Sequence, residues 1–199
     1  MNKKLWEASL SIKKKSNLYK FEKFISKKFN YKINKNYNKL FNWSIKNLDL
    51  FWSSVWDFTN VKGRKVDRFK HSKEFIKNKF FVNSKLSFAE NLLSKNDNSK
   101  AITFISENGY REERTWKVLN LNTSKLINFF KKNKIVKKDR IAAYMPNQIE
   151  TVEFFLATSA IGAIWSSCSP DFGTQGLIER FSQIKPKILI ITDRYYYNG

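Results

Sequence analysis

Residues 140–193 read RIAAYMPNQIETVEFFLATSAIGAIWSSCSPDFGTQGLIERFSQIKPKILIITD. Three short apolar runs, 141–145, 163–168 and 188–192, are separated by two stretches of helical periodicity. Short apolar runs between turn signals are the pattern of strands buried on both faces of a parallel sheet. In the first intervening stretch Ile149, Val152, Leu156 and Ala160 recur at helical spacing, with Phe155 widening the stripe. Asn147, after Pro146 and three residues before Glu150, is the expected N-cap, and Gly162 the expected stop. In the second stretch Leu177, Phe181 and Ile184 follow at intervals of four and three, and Pro186 disfavours helical geometry at Lys185. The alternation predicts an α/β fold, a doubly wound parallel sheet with flanking helices, whose strands need cover on both faces.

In such sheets ligands bind beyond the carboxyl ends of the strands. That places function in the loops starting at Pro146, at residues 169–173 (Ser-Pro-Asp-Phe-Gly) and at Asp193. None of these is a phosphate cradle by itself. Gly173 and Gly176 stand three apart, but neither Gly-x-Gly-x-x-Gly nor Gly-x-x-x-x-Gly-Lys occurs in the chain. The glycines read first as turn residues.

Outward from this core, residues 101–116 (AITFISENGYREERTW) form two strand-like runs around Asn108-Gly109, a hairpin signal. A helix capped by Thr115 follows, with Leu119, Leu126, Phe129 and Phe130 apolar. Residues 1–30 read as a basic amphipathic arm whose helix starts near Ser16, with Leu18, Phe21, Phe24 and Ile25 at helical intervals. Docking of this arm by its aromatic edge is the expected role, ahead of membrane-surface attachment. Residues 36–58 hold Tyr37, Leu40, Phe41, Trp43, Phe51, Trp52, Trp56 and Phe58, a density that predicts burial, with Trp52 and Trp56 on one helical face. Residues 59–79 are polar, lysine-rich and irregular.

The formal charge is +21, from 38 Lys and Arg against 17 Asp and Glu, yet 42% of the 199 residues are hydrophobic and supply a core. The lysines are scattered among Asn, Phe and Ile rather than gathered on one helical face, and no helix-turn-helix, zinc or RNA-binding signature accompanies them. Specific nucleic-acid binding is therefore not expected. One cysteine, Cys168, excludes an internal disulfide framework and suits a reducing cytosol; its place at a strand end points to packing. One histidine, His71, far from it in sequence, completes neither a nucleophile–base pair nor a metal-ligand set, and reads as a surface residue. The first residues carry the charge of a secretory signal without its apolar run, and no run approaches the roughly eighteen apolar residues a span requires. A cytoplasmic protein without membrane partners is the expectation.

The stretch ATSAIGAIWSSCSPDFG, then RFSQIKPKILIITD and YYYNG, closely resembles the acetoacetyl-CoA synthetases of the adenylate-forming acyl-CoA synthetase superfamily. The resemblance extends over LWEAS at 5–9, SNLYKF at 16–21, NWS at 42–44, FWSSVWDF at 51–58, FAENLL at 88–93 and RTW at 114–116. It departs where relatives carry Trp-Phe-Pro-Gly and this chain has Phe80-Phe81-Val82-Asn83, although Asn83 tolerates the left-handed backbone a glycine would supply. The resemblance implies the amino-terminal part of the acyl-CoA synthetase large domain, preceded by a helical aromatic-rich segment. It divides the chain into residues 1–98, the amino-terminal segment, and 99–199, the start of the AMP-binding domain.

It further implies a ligase that activates acetoacetate with ATP and magnesium and passes it to CoA. The phosphate loop, the nucleotide motifs and the catalytic lysine would lie beyond residue 199, so no catalytic residue and no metal ligand is assigned. The family runs to roughly three times this length, and α/β domains of this type are commonly larger. The chain is thus expected to be an amino-terminal piece, inactive alone, with the remaining portion of the enzyme as its partner. The one site carried over is a CoA-facing turn of Arg194, Tyr197, Asn198 and Gly199. A plain strand-to-helix turn is the alternative at that site. For the whole chain the alternatives are a non-catalytic CoA-binding module and a basic nucleic-acid binder.

Overall fold

Ile141, Ala142 and Ala143 are fully buried because their strand is central in a three-stranded parallel sheet. The computed structural model describes residues 5–33, 36–67 and 69–198. It divides into two compact units, Met1–Lys85 and Leu86–Gly199.

In the second unit, α5 (Phe88–Leu92) precedes a hairpin of β3 (Lys100–Ile105) and β4 (Arg111–Thr115). Its turn uses Asn108-Gly109, with Gly109 at φ 80°. Thr115 caps α6 (Trp116–Lys132), its hydroxyl accepting from the Val118 amide at 3.3 Å. The parallel series is β5 (Arg140–Tyr144), α7 (Ile149–Ala160), β6 (Ile164–Cys168), α8 (Thr174–Ile184) and β7 (Ile188–Ile191). The three strands lie within one residue of the apolar runs at 141–145, 163–168 and 188–192.

The sheet order is β6-β5-β7, with Tyr144 opposite Cys168 on one side and Ile191 on the other. Ile141, Trp165, Ile188 and Ile190 pack with Phe130, Phe154 and Ala157 of α6 and α7. On the opposite face Ala142, Tyr144 and Cys168 meet Leu177, Phe181 and Ile184 of α8. The sequence predicts cover on both faces, and on this face it is complete over β5 and thin over β7. Leu189 and Ile191, registered with Ala142 and Tyr144, remain 47% and 63% exposed.

Two details of α7 differ from the sequence reading. Gln148, not Asn147, is the N-cap, and it makes no side-chain capping bond; the Thr151 hydroxyl donates to the Pro146 carbonyl instead. Ala160 is exposed, while Glu153, Ala157 and Thr158 are buried, because α7 is covered from more than one direction. Gly162 (φ 71°) follows α7 in the left-handed region, as a glycine stop predicts; Lys185 leaves the helix before Pro186 as expected, but with a left-handed backbone (φ 46°) in place of the extended one a following proline favours.

The carboxylate of Asp139 closes the amino-terminal edge of this sheet, accepting from the Val136 amide and from Lys187 Nζ, both at 2.8 Å. The Lys187 bond, then the amide, hold its carboxyl below the usual carboxylate range. The folded value lies below the unfolded one, so the stabilisation is complete above about pH 4 and is lost as pH falls through the folded value. Asp139→Asn is therefore expected to lower the urea midpoint at pH 7, with the difference shrinking towards pH 3. A difference independent of pH would remove this carboxylate from the acid response.

In the first unit, Ser9, Ser16 and Asn36 cap α1 (Leu10–Lys15), α2 (Asn17–Phe29) and α3 (Tyr37–Lys46), and α4 (Leu48–Phe58) follows. Phe21, Ile25, Ile33, Leu40 and Trp43 form the core. Trp56 is buried against Phe81 and Trp52 half-buried against Phe80, with ring centroids 4.9 and 5.2 Å apart. General burial of the apolar and aromatic residues does not hold: Leu18, Tyr37 and Phe41 are about half exposed or more. Helices of ten to thirteen residues each bury one stripe, and here the apolar residues outnumber the inward positions. Past α4 the chain is largely irregular, with the two-residue strands β1 (Gly63–Arg64) and β2 (Lys85–Leu86) and one 3₁₀ turn, Phe75–Lys77. Asn83 takes the expected left-handed backbone at φ 68°. Among the described residues no helix is long and apolar enough to cross a membrane.

Candidate functional site

The order β6-β5-β7 sends the chain from β5 to one neighbour and then back across to the other. The carboxyl ends of β5 and β7 thus flank a switch in strand order, where α/β sheets leave a ligand crevice. Three segments meet around this end.

From β5 comes Tyr144, whose phenolic oxygen lies 2.7 Å from the Pro170 carbonyl and 2.6 Å from that of Phe172. Its proton is shared between two acceptors of the loop after β6. Within that loop the Ser169 hydroxyl donates to Asp171 Oδ2 at 2.7 Å, and the Arg180 guanidinium lies 4.3 Å over the Phe172 ring. From beyond β7, Tyr195 Oη donates to Asp171 Oδ1 at 3.3 Å, and its ring lies 6.3 Å from that of Tyr197. Local desolvation, then the Asp171 carboxylate, push the Tyr195 phenol above its ordinary value.

Arg194 and Tyr197 are exposed; the guanidinium of Arg194 meets the neighbouring Asp193, at 3.2 Å. Asn198 sits at φ 54°, and Gly199 lies outside the described residues. Arg194 and the tyrosines are therefore brought beside the 169–173 loop through Asp171, a connection carried by Tyr144 and Tyr195. Sequence reading missed both. A tyrosine closing a buried strand reads as core.

Cys168 is buried at the end of β6, and burial pushes its thiol upward, which suits packing and not nucleophilic attack. His71 is exposed beside Phe69. Among the described residues no group of three or more His, Cys, Asp or Glu could hold a metal ion. A groove of about 410 Å³ lies between Leu10, Tyr19 and Tyr37 in the helical unit.

Away from this end a charged cluster surrounds Arg114. Its Nε donates to Glu153 Oε1 and its Nη2 to Glu150 Oε1, both at 3.2 Å, while Nη1 donates to Glu112. Asn122 Nδ2 also donates to Glu153, at 2.8 Å. Burial acts to lower the pKa of Arg114, and Glu112 and Glu153 override it, raising it above its ordinary value. The cluster joins β4 to α7.

A family model described as AMP-binding enzyme matches residues 90–198, more than half of the chain. The chain belongs to the AMP-binding enzyme family. Acetoacetyl-coenzyme A synthetase of Rhizobium meliloti (strain 1021) is 37% identical over 196 residues, 98% of this chain and 30% of that protein. Acetoacetyl-CoA synthetase of Xenopus tropicalis is 38% identical over 171 residues, 82% of this chain and 25% of its own. The solved acetoacetyl-CoA synthetase from Streptomyces lividans matches with a TM-score of 0.87 at 25% identity, over 100% of this chain and 31% of that one. As an AMP-binding family member, the chain spans between a quarter and a third of these relatives. Its parallel sheet with flanking helices is that of their amino-terminal part.

Proposed function

We propose that these residues form the amino-terminal part of an ATP-dependent acetoacetate–CoA ligase. The observation that carries this reading is the similarity to acetoacetyl-CoA synthetase along 98% of the chain, reaching from the aromatic helices to the turn after β7. In the reaction a carboxylate oxygen of acetoacetate attacks the α-phosphorus of ATP. The bond to pyrophosphate breaks, and an acyl adenylate forms. The CoA thiol, losing its proton, then attacks the acyl carbon, and AMP leaves.

In this reading residues 1–98 are the amino-terminal segment and 99–199 the start of the AMP-binding domain, working in the cytoplasm. The turn of Arg194, Tyr197, Asn198 and Gly199 faces CoA. Arg194, free of any buried partner, offers a phosphate a forked donor, and the tyrosine rings offer faces on which a base can stack. Magnesium is usually held by one or two carboxylates together with the phosphates of its nucleotide, and no residue of this chain is assigned to it here.

The test is a chimera in which residues 1–199 replace the matching part of the Rhizobium meliloti protein. Acetoacetate-dependent pyrophosphate release followed by CoA-dependent AMP release is the expected result. A folded chimera that prefers a different acid, or ignores acetoacetate while the parent protein uses it, would overturn the proposal.

A further inference from the structure

The turn after β7 is exposed along its length from Asp193 to Asn198, yet it is tethered at Tyr195. We propose that Tyr144 and Tyr195 are positioning residues that hold the Arg194-bearing turn against the 169–173 loop, in the placement that receives the phosphate end of CoA. This rests on the CoA-facing reading above; the tether itself is tested independently of it.

The chain of contacts has three parts. Tyr144, fixed in the central strand, holds the loop by two backbone acceptors, the carbonyls of Pro170 and Phe172. The residue between them, Asp171, has one carboxylate oxygen engaged by Ser169, which leaves the other, Oδ1, as acceptor for Tyr195. Arg194 precedes Tyr195, and the Thr192 hydroxyl donates to the Arg194 carbonyl at 2.9 Å, so the turn is held on both sides of the arginine. Without the tether Arg194 would sample many placements, and ordering it would fall to the ligand, which weakens binding. Tyr144 controls both loop and turn, whereas Tyr195 controls the turn alone.

Trypsin cleavage after Arg194 reads the tether directly in the 199-residue chain, with thermal midpoints recorded for each variant. Tyr195→Phe is expected to speed cleavage after Arg194 several-fold without change at sites in residues 59–79. Tyr144→Phe should speed it as well, and should also speed chymotrypsin cleavage after Phe172, whose carbonyl it frees. CoA affinity, measured by calorimetry on the same proteins, should fall about five-fold in each, the order set by one hydrogen bond. Unchanged cleavage after Arg194 in Tyr195→Phe would overturn the tether. Faster cleavage with CoA affinity unchanged would overturn the positioning role. If the wild-type chain does not bind CoA, the CoA-facing reading fails and the positioning role falls with it; the tether still stands or falls on cleavage.

Discussion

Arg114→Ala is expected to cost the unit formed by residues 86–199 about 3–5 kcal/mol, the range for removing one partner of a buried ion pair. Glu153 is only 5% exposed, and without the guanidinium Asn122 is the one donor left to it among the contacts described here. Glu112 and Glu150 stand in the same cluster, so the deletion also leaves three carboxylates facing one another. Arg114→Lys should recover part of the loss, since an ammonium supplies the charge but not a planar fork reaching three acceptors. Replacing both members, Arg114→Met with Glu153→Leu, should be markedly milder than the single deletion, because no charge is then buried alone. Urea unfolding of the four proteins decides the matter. An Arg114→Ala loss under about 1 kcal/mol would place the cluster with ordinary surface pairs.

A polypeptide restricted to residues 1–199 is expected to release no pyrophosphate from ATP, acetoacetate and magnesium above the rate without protein. Adenylate formation places growing charge on phosphate oxygens, and one preorganised donor can contribute about 2.7–4 kcal/mol, or 10²–10³ in rate. No glycine-rich phosphate cradle occurs in these residues, and Arg194 is tied to the turn proposed for CoA. The same polypeptide carries Leu189 and Ile191 exposed on β7, so it should self-associate as concentration rises. Turnover from this polypeptide would mean that its own residues hold catalytic apparatus not recognised above.

Local signals were legible wherever the deciding atoms lie within a few residues. Ser16 and Thr115 cap the helices they precede, and Asn108-Gly109 turns the hairpin. Lys185 leaves the helix before Pro186. What remained hidden depends on distant partners. Glu153 on a helix reads as a solvent-facing residue, and its burial makes sense only with Arg114, 39 positions earlier. Tyr144 and Phe172, 28 apart, give no periodic trace of their bond. The exposed Tyr37 and Phe41 fail in the other direction, because aromatic density measures the demand for burial and not the inward space the helices provide. The turn after β7 drew attention through resemblance and strand-end position, while the tyrosines that hold it did not.

The central position of β5 has a consequence for synthesis of the chain. This strand leaves the ribosome first of the three, yet both its neighbours are made later: β6 begins at Ile164 and β7 only at Ile188. Between those moments a nascent chain can close β5 onto β6 through α7, but the edge later taken by Ile188 is bare. Ile141, Ala142 and Ala143 then wait with half their backbone partners untranslated, at about 5–20 residues per second. A pause in that interval prolongs the exposure of an apolar edge, and synonymous changes that slow translation between codons 168 and 191 should lower soluble yield without altering a single side chain.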